Sequence, residues 1–111
     1  MDILKSGGYK LSALEIEEAL RDNPAIAEVA VVGLPDETWG ERVVAVVVPT
    51  PGAEAQCAPE ALRSWAKERM AHYKVPREVV LTSALPRNPL GKVVKPELIQ
   101  ALTTGALPRA K

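Results

Sequence analysis

Two consecutive runs of β-branched residues constrain the fold of this chain more than any other feature. Residues 26–34 read IAEVAVVGL and residues 42–48 read RVVAVVV. Such runs favour extended strands, because branching at Cβ suits the pleated surface of a sheet. The connection between them, residues 35–40, contains proline and glycine and has an ordinary length for a turn. Two neighbouring strands joined in this way are predicted to pair antiparallel.

Helical patterns lie on both sides of this strand pair. The sequence Ser12-Ala-Leu-Glu15 is a capping box, in which the Ser12 hydroxyl accepts from the Glu15 amide and Glu15 reaches back, and it predicts a helix that ends at Pro24. A second helix is predicted to start at Pro59 and to be stopped by Val75-Pro76. Its apolar stripe recurs at three- and four-residue spacing and is predicted to face the core: Leu62, Trp65, Ala66, Arg69, Met70 and Tyr73.

The remaining elements are short. The Gly7-Gly8 pair between two extended pieces predicts an N-terminal β-hairpin. Residues 78–82 are predicted to form a third strand, and residues 96–102 a final helix. The fold class is therefore α+β: one small domain over residues 1–102, with a hairpin and a roughly three-stranded sheet packed by helices, followed by a frayed tail over residues 103–111.

Composition excludes several classes of function. Fourteen Lys and Arg balance fourteen Asp and Glu, so nothing predicts binding to nucleic acid or to an anionic membrane surface. No stretch approaches the ~20 apolar residues of a membrane span. Cys57 is the only cysteine, which rules out an internal disulfide and fits a reducing compartment; we interpret it as a small apolar residue. His72 has no partner at a telling spacing, so we expect a structural or exposed residue and no metal site.

Three segments use more special residues than folding requires: residues 5–10, residues 85–92, and residues 70–76, whose His72 is interpreted as structural or exposed. Adjacent glycines at 7 and 8 allow a ligand to approach the main chain closely, although an ordinary hairpin turn would also use them. Residues 85–92 read LPRNPLGK and share only the final Gly-Lys of a phosphate-binding loop, because Pro86 and Val93 replace required residues. Lys92 is thus either a solvated turn lysine or a cation that a stiff turn delivers to developing negative charge.

Taken in order, these segments resemble the closing motifs of the adenylate-forming enzymes, which include acyl-CoA synthetases, nonribosomal peptide adenylation domains and luciferases. The residues 2–10, DILKSGGYK, together with Glu15-Ile-Glu17, resemble the motif that opens their small C-terminal domain. The residues 73–76, YKVP, resemble the next motif, and Leu85-Pro-Arg-Asn88 with Gly91-Lys92 resembles the last. The resemblance covers about residues 2–102.

The resemblance implies roles for particular residues. Lys92 is expected to act as the catalytic lysine of the adenylation half-reaction, in which a carboxylate attacks the α-phosphate of ATP bound with Mg²⁺. The Gly7-Gly8 turn is expected to line the channel for coenzyme A in the thioester half-reaction, with Tyr9 and Lys10 as its neighbours. The family's hinge is expected at or just before Asp2. ATP and Mg²⁺ would be bound mainly by a large N-terminal domain, without which this chain is expected to be inactive.

Within the superfamily, the motifs most resemble those of malonyl- and methylmalonyl-CoA synthetases. Medium- and long-chain acyl-CoA synthetases remain an alternative. A second alternative from the residues alone is a non-catalytic α+β module that binds an anion or a protein through Arg87, Lys92 and Lys95. The expected location is the cytoplasm, or the mitochondrial matrix if a longer parent carries a targeting signal.

Overall fold

The computed structural model describes residues 3–107, which form a five-stranded mixed sheet and three α-helices. Asp2, where the hinge was expected, lies outside the described residues, as do residues 108–111 of the predicted tail. The strands are Ile3–Ser6 (β1), Tyr9–Ser12 (β2), Ile26–Asp36 (β3), Gly40–Pro49 (β4) and Glu78–Leu81 (β5). The helices are Ala13–Arg21 (α1), Pro59–Lys67 (α2) and Lys95–Thr104 (α3). The predicted α+β class is confirmed.

The long strands β3 and β4 form the centre of the fold. They pair antiparallel, as predicted, with Val31 opposite Ala45 and Asp36 opposite Gly40. Both strands extend beyond the β-branched runs, because the turn between them is tight. The Asp36 carboxylate accepts hydrogen bonds from the Thr38 and Trp39 amides at 2.9 and 3.0 Å. This side-chain turn fixes where β4 begins.

Both faces of this strand pair are buried, which explains its nearly continuous apolar sequence. One face of β4 presents Val43, Ala45 and Val47 to a core shared with α1 and α2. The other face presents Val44 and Val46 to a second core that contains Leu98 of α3. Neighbouring residues along one strand therefore belong to different cores.

Two elements pair with β4 on the side that faces away from β3. The parallel strand β5 pairs Val44 to Val47 with Glu78 to Leu81. The β1–β2 hairpin reaches the same strand through one pair, Ser6 opposite Gly40. The sheet of five strands thus combines the predicted hairpin and the predicted three strands, and the hairpin is its most lightly attached part.

The first helix begins where predicted, but its capping box is only half formed. Ser12 Oγ accepts from the Glu15 amide at 3.2 Å. The Glu15 carboxylate does not close the box; it accepts instead from the ammonium of Lys74, and this hydrogen bond raises the pKa of Lys74 above its ordinary value. The contact connects α1 to the segment before β5, 59 residues away in sequence.

The prediction of one continuous second helix up to Val75 was wrong. Helix α2 ends at Lys67, and a separate 3₁₀ turn covers His72–Lys74. Ala71 between them is extended (φ −58°, ψ 144°), and this break lets Tyr73 stack on Tyr9 of the hairpin. At the other end of the chain, α3 continues two residues past the predicted end at Leu102 and is capped by Gly105 in the left-handed conformation.

Candidate functional site

Lys92 lies in a small, well-ordered loop that spans residues 86–94. Arg87 and Val93 pair across its base, and the Val94 amide donates to the Pro86 carbonyl at 3.0 Å. Asn88 organises the tip, because its Oδ1 accepts from the Leu90 and Lys92 amides, both at 3.0 Å. Gly91 completes the turn at φ +85°. The main chain beside Lys92 is therefore held in one conformation.

Ion pairs attach the base of the Lys92 loop to the rest of the domain. Arg87 pairs with Glu28 of β3 and also donates to the Gly91 carbonyl at 2.6 Å. Lys95 Nζ lies 2.8 Å from Glu17 Oε2 and donates to the Val31 carbonyl at 2.9 Å. Glu17 in turn accepts from the Val31 amide at 2.7 Å. The loop is thus anchored to both α1 and β3.

The three cations near the loop have different surroundings. Arg87 and Lys95 are engaged in the contacts just described, whereas Lys92 is exposed and its ammonium has no hydrogen bond or ion pair with any residue in the range 3–107. In the binding-module alternative, which invokes these three cations for an anion or a protein, Arg87 and Lys95 would have to act while engaged in these contacts. A single lysine projects from a rigid loop.

The two glycines of the Gly7-Gly8 turn have different surroundings. Gly7, at φ +58°, donates its amide to the Trp39 carbonyl at 2.9 Å, and a Cβ there would lie 2.9 Å from the Trp39 ring. Gly8, at φ +85°, has nothing within 4 Å of a would-be Cβ. Gly7 is therefore required by the fold itself, and Gly8 leaves main chain open to an approaching molecule.

A cleft of about 120 Å³ adjoins this turn and is lined by Gly7 and by side chains from three other segments. Tyr9 and Tyr73 stack with ring centroids 4.1 Å apart, and the Arg77 guanidinium lies 3.7 Å from the centre of the Trp39 ring. His72 contributes to the lining as well. The sequence predicts a role for Tyr9 and a structural or exposed position for His72. It predicts no site role for Trp39 or Arg77, because these residues come together with Tyr9 only in the folded chain.

Lys10 projects from the exposed side of the hairpin directly opposite Lys5. Two exposed lysines in register on neighbouring strands place two positive charges close together, beside the glycine turn. Leu4 and Leu11, the adjacent pair, point the other way into the core. The hairpin thus has one structural face and one basic face.

The two sites lie far apart along the central strand. Ser6, beside the glycine turn, is in register with Gly40 of β4, and Glu28, which binds Arg87 of the Lys92 loop, is in register with Val48. Gly40 and Val48 are eight residues apart on β4, which corresponds to about 26 Å along the strand. The domain therefore presents its two candidate sites at different ends.

Other reactive groups do not add a site. Cys57 is fully buried, its thiol donates to the Ala25 carbonyl at 3.1 Å, and burial raises its pKa, so it is not a nucleophile and the apolar interpretation is confirmed. Within residues 3–107, no group of three His, Cys, Asp or Glu side chains could hold a metal ion. No helix in that range is long and apolar enough to cross a membrane.

Residues 15–92 match the AMP-binding enzyme C-terminal domain, and the chain belongs to this family. The matched stretch ends on Lys92 and begins after the Gly7-Gly8 hairpin. The family predicted from the motifs is therefore confirmed.

Particular relatives are similar over nearly the whole chain. The mitochondrial malonate–CoA ligase ACSF3 of Bos taurus is 48% identical over 102 residues, which are 92% of this chain and 17% of that protein. Apo MatB from Rhodopseudomonas palustris has a TM-score of 0.85 at 32% identity, over 95% of this chain and 21% of that one. A Mycobacterium tuberculosis fatty acyl CoA synthetase has a TM-score of 0.85 at 36% identity, over 94% of this chain and 20% of that one. The chain thus spans about a fifth of the length of the proteins it matches.

Proposed function

We propose that this chain is the mobile C-terminal domain of an AMP-forming acid–CoA ligase and that it serves the two half-reactions with two different ends. The observation that carries the proposal is the separation of the Lys92 loop from the Gly7-Gly8 turn along β4. The strand positions beside which they attach, Gly40 and Val48, are about 26 Å apart along β4. We infer that loops attached this far apart on one sheet reach a single reaction centre only in different orientations of the domain. A rotation of the domain between half-reactions would bring each to the centre in turn.

Lys92 has the properties that the adenylation step requires. As the carboxylate attacks the α-phosphate of ATP, negative charge builds up on the phosphate oxygens, and a preorganised cation stabilises that charge. The ammonium of Lys92 is unpaired among the described residues, and its main chain is fixed by Asn88. Little reorganisation is then needed when the substrate arrives.

The turn at Gly8 has the properties of a channel wall for coenzyme A. Its main chain is open, so a narrow chain such as pantetheine can pass where a side chain would obstruct it. The basic pair Lys5 and Lys10 lies on the adjoining hairpin face and suits the phosphates of coenzyme A. Tyr9 borders the same turn and supplies an aromatic surface.

The partner of this domain would be a large N-terminal domain that binds ATP with Mg²⁺ and the acid. Malonate is the proposed acid, because a malonate–CoA ligase is 48% identical to this chain. A medium- or long-chain fatty acid is the second candidate, favoured by the likeness to the fatty acyl CoA synthetase. On its own the domain is proposed to be inactive, because ATP with Mg²⁺ would be bound by that large domain. Cytoplasm or mitochondrial matrix remains the predicted location.

A chimera tests the proposal directly. Residues 3–107 would replace the corresponding domain of Rhodopseudomonas palustris MatB, the structural relative above. We expect the chimera to form an acyl-adenylate from malonate and ATP, measured by pyrophosphate release without coenzyme A. Lys92→Ala should lower that rate by about 100-fold or more. Lys67→Ala removes a different exposed lysine, on α2, and should leave the rate unchanged.

Two results would contradict the proposal. One is a well-folded chimera that forms no adenylate with any acid, tested from malonate to long-chain fatty acids. The other is a Lys92→Ala chimera that keeps the wild-type rate of pyrophosphate release. A chimera active on fatty acids but not on malonate would keep the class of reaction and replace the proposed substrate.

A further inference from the structure

We propose that Glu41 is a positioning residue for the Gly7-Gly8 turn, and that it acts on the thioester half-reaction while leaving adenylation alone. This inference rests on the function proposed for that turn. Glu41 lies at the start of β4, outside the three motifs on which the resemblance to the family rests. Its carboxylate reaches the hairpin strand that leads into the turn.

Three contacts of the β1 main chain and the turn with residues 39–41 connect the hairpin to the start of β4 within the described range. The Lys5 amide donates to Glu41 Oε1 at 2.8 Å, and the Gly7 amide donates to the Trp39 carbonyl at 2.9 Å. Between them, Ser6 is the one residue of β1 in register with β4, at Gly40. The amides of Lys5 and Gly7, on either side of Ser6, therefore both donate to residues 39–41, and the Glu41 side chain is one of the two acceptors.

The Glu41 carboxylate packs against Gly33 of the neighbouring strand β3. Gly33 interrupts the β-branched sequence of β3, where a glycine normally weakens a strand. A Cβ at Gly33 would lie 2.7 Å from Glu41 Oε2 and 3.0 Å from Leu4 Cδ2. The φ angle of Gly33 is not in the left-handed region, so its backbone does not demand glycine. Glycine at position 33 therefore leaves the space that the Glu41 carboxylate occupies.

Trp39, whose carbonyl holds the Gly7 amide, is itself fixed by two contacts. The Trp39 amide is held by the Asp36 carboxylate, and the Arg77 guanidinium stacks over the Trp39 ring. The same ring touches the position where Gly7 would carry a Cβ. Main-chain contact with Trp39 survives any substitution at 41, so loss of the Glu41 carboxylate should loosen the turn without unfolding it.

The Lys92 loop gains nothing from Glu41. That loop is attached to Glu28, Glu17 and Val31, which belong to the far half of β3 and to α1. A displaced glycine turn should therefore slow the attack of coenzyme A on the acyl-adenylate and leave formation of the adenylate unchanged. Misplacement of a substrate-positioning group by about 1 Å can cost on the order of 100-fold in rate.

The first test uses the 111-residue chain itself and does not depend on enzymatic activity. In Glu41→Ala, amide hydrogen exchange of Lys5 should accelerate about tenfold, since its acceptor is lost. Exchange of Val46, in the β3–β4 ladder, is the internal reference and should not change. Glu41→Gln keeps an acceptor oxygen and should restore slow exchange. Glu37→Ala removes an exposed carboxylate of the same turn and serves as the control.

The second test measures the half-reactions separately in the MatB chimera. Glu41→Ala should lower thioester formation from preformed acyl-adenylate by about 10- to 100-fold, with pyrophosphate release unchanged. Gly33→Ala, which crowds the carboxylate from the other side, should shift the two rates in the same way, and Glu41→Gln should recover most of the loss. If the wild-type chimera lacks both half-reactions, the proposed function fails. If it has both and Glu41→Ala lowers them equally, or lowers neither, the positioning role of Glu41 is overturned.

Discussion

Three cations within nine residues of one another, Arg87, Lys92 and Lys95, show how the fold distinguishes residues of the same charge. Arg87 and Lys95 find carboxylates on β3 and α1, and Lys92 is left at the loop tip. Those carboxylates, Glu28 and Glu17, are more than fifty residues earlier in the chain. No local pattern indicates the pairings. The motif pointed to Lys92, and the fold engages its two neighbours in other contacts.

The two turn glycines should differ in what an added methyl group does to stability. Each has a positive φ, so alanine at either position costs about 1–2 kcal/mol in backbone strain. Gly7→Ala also pushes against the Trp39 ring, and Gly8→Ala meets open space. We expect Gly7→Ala to lower the free energy of unfolding by about 1 kcal/mol more than Gly8→Ala does. Urea denaturation of the two variants measures this difference, and equal losses would contradict the assigned packing.

Cys57 should be protected in the folded chain. Burial, with a smaller effect of Glu54, raises the pKa of its thiol above the ordinary 9.0. The unfolded chain loses the thiol proton first as pH rises, so the free energy of unfolding contributed by this group is constant below about pH 9 and falls above it. We expect a disulfide reagent such as DTNB to label Cys57 at neutral pH only at the rate of unfolding. Labelling at the rate of a free thiol would contradict its burial.

At the scale of elements, the outer edge of β3 is the point where α1, α3 and the Lys92 loop meet. Both the amide and the carbonyl of Val31 are turned away from β4, and Glu17 and Lys95 bind them. An edge strand with open hydrogen-bonding groups invites pairing with other chains. The ion pair therefore covers the edge and at the same time fixes the start of α3, three residues after Lys92.

Glu17 should accordingly matter far more than its exposed neighbour. Glu17→Ala leaves Lys95 without its carboxylate and the Val31 amide without an acceptor, and we expect it to lower the free energy of unfolding by about 2–3 kcal/mol. Glu18→Ala, an exposed position on the same helix, should change it by less than about 0.5 kcal/mol. Chemical denaturation of both variants provides the comparison. Similar small effects in both would mean that the pair contributes little.

Element type was largely predictable from the sequence, because β-branched runs and helix caps are local signals. The antiparallel pair, the start of α1 at Ser12 and the hairpin at Gly7-Gly8 are confirmed. The break after α2 was missed, since the stripe from Leu62 to Tyr73 continues at helical spacing. The segment after the break makes two tertiary contacts that no local pattern indicates: Tyr73 stacks on Tyr9, and Lys74 pairs with Glu15.

The candidate site was predictable only in part. Lys92 and the glycine pair were found through the ordered motifs of the family. The support around them, including Asn88 in one loop and Trp39 and Glu41 beside the other, depends on side-chain contacts that the fold creates. The aromatic and basic lining of the cleft at Tyr9 likewise draws on residues thirty or more positions apart, such as Tyr9, Trp39 and Arg77.

At the scale of the whole molecule, the two candidate loops attach to the sheet near opposite ends of the central strand β4. The double core keeps β3 and β4 fixed relative to each other, so the two loops cannot approach each other by local motion. A family member built this way must turn as a body if both loops are to serve one active centre. The central claim is therefore a division of labour between the Lys92 loop and the Gly7-Gly8 turn.

A crossed comparison of half-reactions in the MatB chimera tests that claim most directly. Lys92→Ala and Gly8→Val would each be assayed for pyrophosphate release and for thioester formation from preformed acyl-adenylate. The division of labour predicts opposite losses: adenylation falls in Lys92→Ala, and thioester formation falls in Gly8→Val, each by about 100-fold, with the other rate nearly unchanged. Parallel loss of both rates in both variants would contradict it.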